Sequence, residues 1–288
     1  MTALRIAVPN KGRLNQRSVQ LMNRIGFAVP DSNSRTLIAE FGKGRYQILL
    51  ARAQDIPEFV EMGVADLGVT GLDLVLETER EVERLRDLDY GKCRLVVAVP
   101  DESSVADVSE IEDGCTVATA FPRLTKEYFD KIGKKVDIAS VTGATEVTPQ
   151  IGLADVITDL TETGSTLKLN HLKEVGLVLE SVAVLIANRK SLESARGRID
   201  EVVSAIDSVI AASKKRYLMA NVPKATLPNL ETLIPGVSGP TIMNIIGRED
   251  LVAIHAVVSE EAVNGIIAVL KEIGGTGILI MPIERMVL

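Results

Sequence analysis

Tryptophan is absent from this 288-residue sequence, and aromatic residues make up only 3% of it. Its core must therefore be aliphatic, and the aromatic platform on which single-stranded nucleic acids stack is not expected. Positive charge is also in deficit, with a formal net charge of -7. Because nucleic-acid-binding proteins usually show a basic excess, we expect no nucleic-acid partner. An anionic ligand must then be held by local donors and a metal rather than by an overall positive field.

The sequence also lacks the patterns of a metal centre and of a membrane protein. Its cysteines, Cys93 and Cys115, and its histidines, His171 and His255, do not have the spacing of metal ligands. Such thiols are typical of cores in a reducing cytosol. No apolar run approaches the roughly 18 residues of a transmembrane helix, and the N-terminal residues show no signal-peptide pattern. We therefore expect a cytoplasmic protein with no membrane partner.

What the sequence does contain is a repeated alternation of short apolar stretches and amphipathic ones. Hydrophobic residues account for 46% and charged residues for 25%, a globular balance. The length predicts about two domains of roughly 150 residues each. Strands are predicted at 4–9, 46–51, 65–70, 94–99, 116–120, 136–141 and 180–187. Helices are predicted at 15–25, 56–62, 103–112, 124–132, 166–174 and 191–215, with a solvated helix or loop at 78–89. This order predicts an α/β fold with parallel sheets.

Residues 154–167, A-D-V-I-T-D-L-T-E-T-G-S-T-L, combine a buried strand with a hydroxyl-rich turn. The turn contains Thr161, Thr163, Gly164, Ser165 and Thr166. Glycine lets the backbone approach a ligand, and consecutive N–H groups, here and at a following helix start, attract anions. The stretch therefore predicts a phosphate-binding loop at the carboxyl end of a strand. The alternative is a polar turn whose hydroxyls only cap the helix.

An acidic residue, Asp159, precedes this loop by two positions. A carboxylate repels phosphate, but it can accept hydrogen bonds from ribose hydroxyls or bind a metal, which indicates a sugar phosphate. Asp155 lies on the same face of the strand but about 13 Å earlier, from a rise of about 3.3 Å per residue. Both cannot reach one ribose, and Asp159 is the better candidate.

Loops with charged residues or glycine follow three other predicted strands. Lys11, Gly12 and Arg13 lie between the first strand and a helix, a position that suits a polyphosphate. Arg52 and Asp73 each follow a later strand. Ligands gather at the carboxyl ends of strands in open α/β sheets. The alternatives are a solvated basic turn at the first loop and an ion pair of Arg52 with a nearby acid.

The C-terminal region has a different order of elements. Strands are predicted at 217–222, 241–246, 251–258 and 277–282, and helices at 227–233 and 260–273. This β-α-β-β-α-β order predicts a ferredoxin-like domain. The fold alone does not give a function.

Residues 146–167 resemble the signature of the ATP phosphoribosyltransferases, the family of the first enzyme of histidine biosynthesis. The fixed positions that match are Glu146, Gly152, Ala154, Ile157, Asp159, Leu160, Thr163, Gly164, Thr166 and Leu167. The resemblance continues through P-N-K-G-R-L at 9–14, R-A-Q-D-I-P at 52–57, A-D-L-G-V-T-G at 65–71 and G-V-S-G-P-T-I at 236–242. It covers nearly the whole chain.

The resemblance implies transfer of the 5-phosphoribosyl group from phosphoribosyl pyrophosphate to N1 of the adenine of ATP, with release of pyrophosphate and with Mg²⁺ as cofactor. The implied catalytic residues are Asp159, Glu146, Lys11 and Arg13, with Asp159 and Glu146 as metal ligands. The implied phosphoribosyl pyrophosphate site is Asp159, Thr161, Glu162, Thr163, Gly164, Ser165 and Thr166. The implied ATP site is Lys11, Gly12, Arg13, Arg52 and Asp73. The alternative function is a non-catalytic two-lobed solute-binding protein.

The resemblance also implies an architecture and a mode of regulation. It implies two lobes like those of a type II periplasmic binding protein, at 1–90 with 180–212 and at 91–179, and an ACT-like ferredoxin domain at 213–288. The family's long form binds histidine as feedback inhibitor in such a domain. The matching positions are Asn221, Val237, Gly239, Thr241 and Gly277. Asn221 stands where related sequences often carry an acid, so it keeps hydrogen bonding but loses the charge. A homo-oligomer, a hexamer or a dimer, is implied as well.

Overall fold

The computed structural model describes residues 3–29, 37–228, 234 and 239–287. Its backbone contacts divide the chain into two units, Met1–Asp200 and Glu201–Leu288. The described part of the first unit carries two β-sheets, and that of the second unit carries one. The α/β fold class is confirmed. The domain limits, including the start of the last domain at residue 213, stay a prediction.

The first sheet has the strand order β2-β3-β1-β4-β11-β5. Its strands are β1 (Leu4–Pro9), β2 (Ile38–Phe41), β3 (Tyr46–Ala51), β4 (Leu67–Gly71), β5 (Glu83–Asp87) and β11 (Ala183–Ala187). The helices beside it are α1 (Asn15–Arg24), α2 (Ile56–Glu61), α3 (Leu72–Thr78) and α6 (Arg189–Ser194). In this sheet only β1, β3 and β4 pair in parallel, and the other pairs are antiparallel. The sheet is therefore mixed, whereas the sequence predicted a parallel one.

The charged stretch at 78–89 contains an unpredicted strand, β5. It lies at the edge of the sheet and pairs antiparallel with β11. An edge strand can keep its charged side chains in solvent, which explains why its sequence lacks the apolar pattern of the inner strands.

The second sheet has the strand order β10-β6-β9-β7-β8. Its strands are β6 (Cys93–Pro100), β7 (Thr116–Thr119), β8 (Asp137–Ser140), β9 (Val156–Thr161) and β10 (Leu172–Ser181). The α-helices that accompany it are α4 (Pro122–Lys131) and α5 (Ser165–Leu169). Strands β7, β8 and β9 are parallel, and β6 is antiparallel to both β9 and β10.

Three helix predictions are wrong in extent. The helix at 166–174 stops at Leu169 because His171 takes a left-handed φ of 54° and the chain then pairs with β6 as β10. At 103–112 only a 3₁₀ turn forms, and its start is capped by Asp107, since serine and aspartate side chains compete for backbone groups. The long helix at 191–215 is divided into α6 and α7 (Arg196–Ser213) next to Gly197, a poor helix former.

The chain passes from the first sheet to the second between β5 and β6, and it returns between β10 and β11. The first unit therefore has two lobes, here called lobe I for the first sheet and lobe II for the second. Lobe I buries aliphatic residues such as Ile6, Ile48 and Val69, and lobe II buries Leu95 and Ile157. The carboxyl ends of β1, β4 and β9 carry the loops that the sequence singles out.

The second unit contains β12 (Lys215–Pro223), β13 (Thr241–Ile245), β14 (Arg248–Ser259), α8 (Val263–Glu272) and β15 (Thr276–Pro282). The antiparallel order β13-β14-β12-β15 is that of a ferredoxin-like sheet, as predicted. Residues such as Leu218, Ile254 and Leu270 form its core. The predicted helix at 227–233 lies mostly outside the described residues. In the described part of the chain, no helix is long and apolar enough to cross a membrane.

Candidate active site

A cavity of about 310 Å³ lies between the two lobes of the first unit. All five residues of the predicted ATP site line it: Lys11, Gly12, Arg13, Arg52 and Asp73. Lobe II closes the other side with Phe121 and Leu160, neither of which was predicted to bind a substrate. The cavity thus has a charged wall from lobe I and an apolar wall from lobe II.

Asp73 holds Arg13 in a fixed position on the charged wall. The Asp73 side chain is 1% exposed, and its Oδ1 accepts from Arg13 Nη2 at 2.8 Å. The hydroxyl of Ser181 donates to the same oxygen at 2.5 Å. Arg13 also donates from Nη1 to the carbonyl oxygen of Gly91 at 2.7 Å. The two charges therefore satisfy each other, and Arg13 is less available to a ligand than the sequence suggested.

Lys11 and Arg52 differ from Arg13 because both are exposed and neither side chain has a partner among the described residues. The predicted alternative for Arg52, an ion pair with a nearby acid, is not formed with any described residue. These two cations are available to an anionic ligand in the cavity.

Asn10 lines the same cavity but was not among the residues predicted to bind a ligand. Its Oδ1 is buried and has no hydrogen-bond partner in the described structure. Buried polar atoms are nearly always satisfied, so an orphan atom at a cavity wall points to a ligand donor or a water molecule. The position of Asn10 directly after the carboxyl end of β1 is the feature of the sequence that could have indicated a ligand-binding residue.

The hydroxyl-rich loop after β9 is ordered by its own side chains. Thr161 is buried, and its Oγ1 accepts from the N–H of Gly164 at 2.8 Å. Gly164 has a left-handed φ of 78°, and a Cβ built there meets no atom within 4 Å. The hydroxyls of Thr163 and Ser165 are 3.0 Å apart. The N–H of Ser165, the first residue of α5, also donates to Thr163 Oγ1 at 3.4 Å. Loop hydroxyls therefore satisfy backbone N–H groups at the start of this helix, and the phosphate-binding role of the loop stays a prediction.

Asp159 lies half-buried just before this loop, and its surroundings do not neutralise it. Its Oδ1 accepts only from the N–H of Leu160, at 2.8 Å. Burial raises the pKa of Asp159 to about 6, the Leu160 N–H opposes this rise, and repulsion by Glu146 adds to it. Glu146 has no hydrogen-bond or ion-pair partner among the described residues. Neither of these two carboxylates has a cationic partner among the described residues.

Asp155, the competitor of Asp159, is engaged elsewhere. Its Oδ2 accepts from the N–H of Thr116 at 2.9 Å, where β7 begins. This contact is at the amino end of the sheet's parallel strands. The preference for Asp159 agrees with this placement.

The loop lies between two interlobe cavities. Leu160, directly before it, lines the cavity of the ATP residues. Glu162, inside it, lines a second cavity of about 500 Å³ beside the crossing segments. The remaining predicted loop residues line neither of these two cavities, and the meeting of the two predicted substrate sites stays a prediction.

The described residues include no cluster of three or more His, Cys, Asp or Glu side chains that could hold a metal ion alone. Two unpaired carboxylates, Asp159 and Glu146, nevertheless fit Mg²⁺, which is commonly bound by one or two carboxylates together with substrate phosphates. A divalent cation would also remove the repulsion between them.

Two of the predicted histidine-binding residues are adjacent in the second unit. A Cβ at Gly277, with φ of 58°, would lie 3.3 Å from Asn221 Nδ2. Thr241 lies on the same face of the sheet, opposite His255. Gly239 has φ of 78°, and Val237 lies outside the described residues.

His255 belongs to this face but was not predicted to be functional. Its Nδ1 is hydrogen-bonded to the hydroxyl of Tyr217. Its Nε2 is buried and has no partner in the described structure.

Comparison with known proteins identifies the family. Residues 52–208 match the family model described as ATP phosphoribosyltransferase, and residues 212–285 match the one described as HisG, C-terminal domain. An ATP phosphoribosyltransferase of Methanococcoides burtonii is 45% identical over 99% of both chains. One of Haloarcula marismortui is 46% identical over 99% of this chain and 100% of its own.

A solved structure agrees with these relatives. The ATP phosphoribosyl transferase (HisG:HisZ) complex from Thermotoga maritima aligns with a TM-score of 0.63 and 28% identity, over 71% of this chain and 96% of its own. The function that the sequence left as an alternative, a non-catalytic solute-binding protein, is thereby set aside. The chain belongs to the ATP phosphoribosyltransferases, the pentosyltransferases that catalyse the first step of histidine biosynthesis.

Proposed function

We propose that the two lobes divide the substrates of the phosphoribosyl transfer. Asp159, Glu146 and the loop 161–166 of lobe II bind phosphoribosyl pyrophosphate, and the cavity with Lys11 and Arg52 binds ATP. The observation that carries this assignment is the division of unpaired charge. Lobe I offers the exposed cations Lys11 and Arg52, which have no partner among the described residues. Lobe II offers the carboxylates of Asp159 and Glu146, which have no cationic partner among those residues, beside a glycine-containing loop rich in hydroxyls.

The loop would hold the 5′-phosphate, and Asp159 would accept hydrogen bonds from the ribose hydroxyls. N1 of adenine attacks the anomeric carbon, the new N–C bond forms, and the bond from that carbon to the pyrophosphate oxygen breaks with its electrons leaving on pyrophosphate. Catalysis of this kind needs positioning and charge stabilisation more than covalent help. Lys11 is placed to stabilise the negative charge of the phosphates, with Arg13 oriented by Asp73 beside it.

Glu146 and Asp159 are the residues that would hold Mg²⁺. When bound, the ion supplies charge neutralisation to the pyrophosphate leaving group. The raised pKa of Asp159 supports this role, because a carboxylate that is buried beside another carboxylate is stabilised by a divalent cation.

We also propose feedback inhibition by histidine in the second unit. The support is the adjacency of Asn221 and Gly277 and the presence of Thr241 on the same sheet face. The replacement of an acid by Asn221 predicts weaker binding of the effector's cationic groups.

A homo-oligomer, a hexamer or a dimer, is part of the same proposal. The sheet face that carries Asn221 also exposes Met243, Leu279 and Met281, with exposed fractions of 47%, 54% and 40%. Adjacent exposed apolar residues of this kind usually mark an interface, here with a second copy. Two free cysteines support a cytoplasmic location.

The test is pyrophosphate release on mixing the protein with ATP, phosphoribosyl pyrophosphate and Mg²⁺. We expect release that requires all three, and a loss of release in the Asp159→Asn variant. Titration of histidine during turnover tests the regulatory proposal, and an unchanged rate at saturating histidine would refute it. Size-exclusion chromatography with light scattering gives the number of chains in the assembly, and a monomer would contradict the proposed homo-oligomer.

A further inference from the structure

The two lobes are joined by a contact that plays no part in the proposed chemistry. Glu77 lies near the end of α3 in lobe I. Its Oε1 accepts from the N–H of Arg123 at 2.9 Å, and its Oε2 accepts from the N–H of Leu124 at 3.0 Å. Both N–H groups belong to the first turn of α4 in lobe II. The helix of one lobe is thus capped by a carboxylate of the other, which also complements the helix dipole.

Arg123 completes this contact from the other side. Its Nε donates to the carbonyl oxygen of Glu77 at 3.1 Å, and Nη2 donates to the carbonyl oxygen of Leu76. Carbonyl oxygens at the end of a helix have no partner within it, so Arg123 satisfies the end of α3 while Glu77 satisfies the start of α4. The side chain also contacts Glu79 of lobe I and Glu127 of its own helix.

An apolar contact lies next to these hydrogen bonds. Leu74 of α3 packs into a cluster of lobe II formed by Leu95, Phe121 and Leu124, together with Leu160. Leu74, Phe121 and Leu160 are also walls of the 310 Å³ cavity. The capping contact therefore lies beside the candidate active site.

Helix α3 connects three functional features in seven residues. Its first turn holds Asp73, which orients Arg13. Leu74 forms the cavity wall, and Glu77 binds lobe II. Helix α4 begins after Phe121, at the end of β7, and β7 pairs with the strand of Asp159. A shift of α3 against α4 would move the ATP residues away from Asp159.

We propose that Glu77 is a positioning residue, which holds lobes I and II closed so that the residues for the two substrates meet. The inference rests on the proposed active site. Without the cap, the closed arrangement would be a minor state, and the apparent affinity for the substrates would fall by the fraction of molecules that remain closed. Loss of a helix cap changes the equilibrium constant of the process that forms it by about tenfold, and here that process is the closure of the two lobes.

The variant that tests this is Glu77→Gln, which keeps the size of the side chain but turns an NH₂ group toward one of the two backbone N–H donors. We expect KM for both substrates to rise about fivefold while kcat stays within about threefold of the wild type, because a tenfold change in the equilibrium lowers the closed fraction from about a half to about a tenth. The matched control is Glu127→Gln. It removes another acidic partner of Arg123, but one in the same helix, and KM should stay within about twofold.

Hydrogen exchange separates closure from a merely local structural role. In Glu77→Gln, the backbone N–H groups of Arg123 and Leu124 should exchange about tenfold faster than in the wild type. Phosphoribosyl pyrophosphate with Mg²⁺ should slow the exchange of the N–H that still faces the amide oxygen of the variant side chain, because ligand binding draws the lobes together. A purely local defect would show the fast exchange without this recovery.

Wild-type KM values in Glu77→Gln, equal effects of the two variants, or fast exchange that substrate does not reverse would each overturn the inference. Unfolding of Glu77→Gln is checked by circular dichroism, and Arg123→Lys then serves as the second variant with the same expected kinetic pattern. The outcome is separable from the site proposal, since that proposal is tested by the Asp159 and loop variants with Glu77 in place.

Discussion

Asp73 and Asp159 are two acidic residues at strand ends of the same unit, and their surroundings differ. Asp73 is almost fully buried, and its carboxylate accepts from the guanidinium of Arg13 and from the hydroxyl of Ser181. Asp159 is less buried, and its side chain accepts from one N–H among the described residues, that of Leu160. Burial and the negative charge of Glu146 raise its pKa. The protein supplies the counter-charge of Asp73 itself, whereas the counter-charge of Asp159 must come from a ligand. Burial alone therefore does not identify the functional acid, but the missing partner does.

The largest effect is expected at the loop beside Asp159. Gly164→Val should abolish turnover, by more than about 1,000-fold, while the protein stays folded, because the added methyl groups would occupy the open space over the loop's N–H groups. The measurement is pyrophosphate release at saturating substrates.

The matched control is Gly133→Val. Gly133 has φ of 75° and open space for a Cβ, as Gly164 does, but it ends α4 away from the loop. Both variants should lose about 1–2 kcal/mol of stability from the left-handed backbone. Near-normal kinetics in Gly164→Val would remove the phosphate-binding role of the loop.

Replacing the unpaired carboxylate gives the next effect. Asp159→Asn should lower kcat/KM by about 100-fold, which corresponds to about 3 kcal/mol of transition-state stabilisation. Asp155→Asn is the control, because Asp155 caps Thr116 at the far end of the sheet. Equal losses of activity in the two variants would contradict the distinction between them.

The same comparison can be made between two cations of lobe I, because Arg13 is paired with Asp73 and Lys11 has no partner among the described residues. Arg13→Leu leaves Asp73 buried and unpaired, and it should cost about 3–5 kcal/mol of stability. Lys11→Leu removes an exposed cation, so it should leave the melting temperature unchanged and raise KM for ATP about tenfold. Thermal melts and kinetics of both variants measure this. The reverse pattern would place the ligand-binding cation at Arg13.

The sequence predicted those parts of the candidate site that are formed by residues close together along the chain. Strand β9 with its loop, and the basic loop after β1, are local patterns in which strand, glycine and hydroxyl or charge follow one another. The edge strand β5 and the strand β10 were missed because they are formed through pairing with β11 and β6, which no local pattern encodes.

The contacts that involve residues far apart in the sequence, including those between the lobes, could not be predicted from local patterns either. Asp73 was predicted as a ligand residue, yet its pairing with Arg13 joins residues sixty positions apart. Glu77 and Arg123 had no motif at all, and their role comes only from the meeting of two helix ends. The unpaired Oδ1 of Asn10 likewise required the surrounding atoms to be known.

The smallest effect is the pH dependence of stability that Asp159 imposes. Its pKa is about 6 in the folded protein and 3.8 as the reference value, so folding disfavours its charged form. Below about pH 3 the group is protonated in both states and costs nothing. The cost grows as pH rises to about 6 and then stays constant, at no more than about 3 kcal/mol. Asp159→Asn should therefore melt at the same temperature as the wild type at pH 3 but several degrees higher at pH 7.5.

Addition of Mg²⁺ at pH 7.5 should narrow this difference, because a bound cation stabilises the ionised carboxylate of the wild type and finds no such group in the variant. Asp155→Asn, by contrast, should melt lower than the wild type at pH 7.5, since it loses the cap on Thr116. If Asp159→Asn is destabilised equally at both pH values, Asp159 is a structural acid like Asp73. The carboxylate that awaits a ligand would then have to be Glu146 alone.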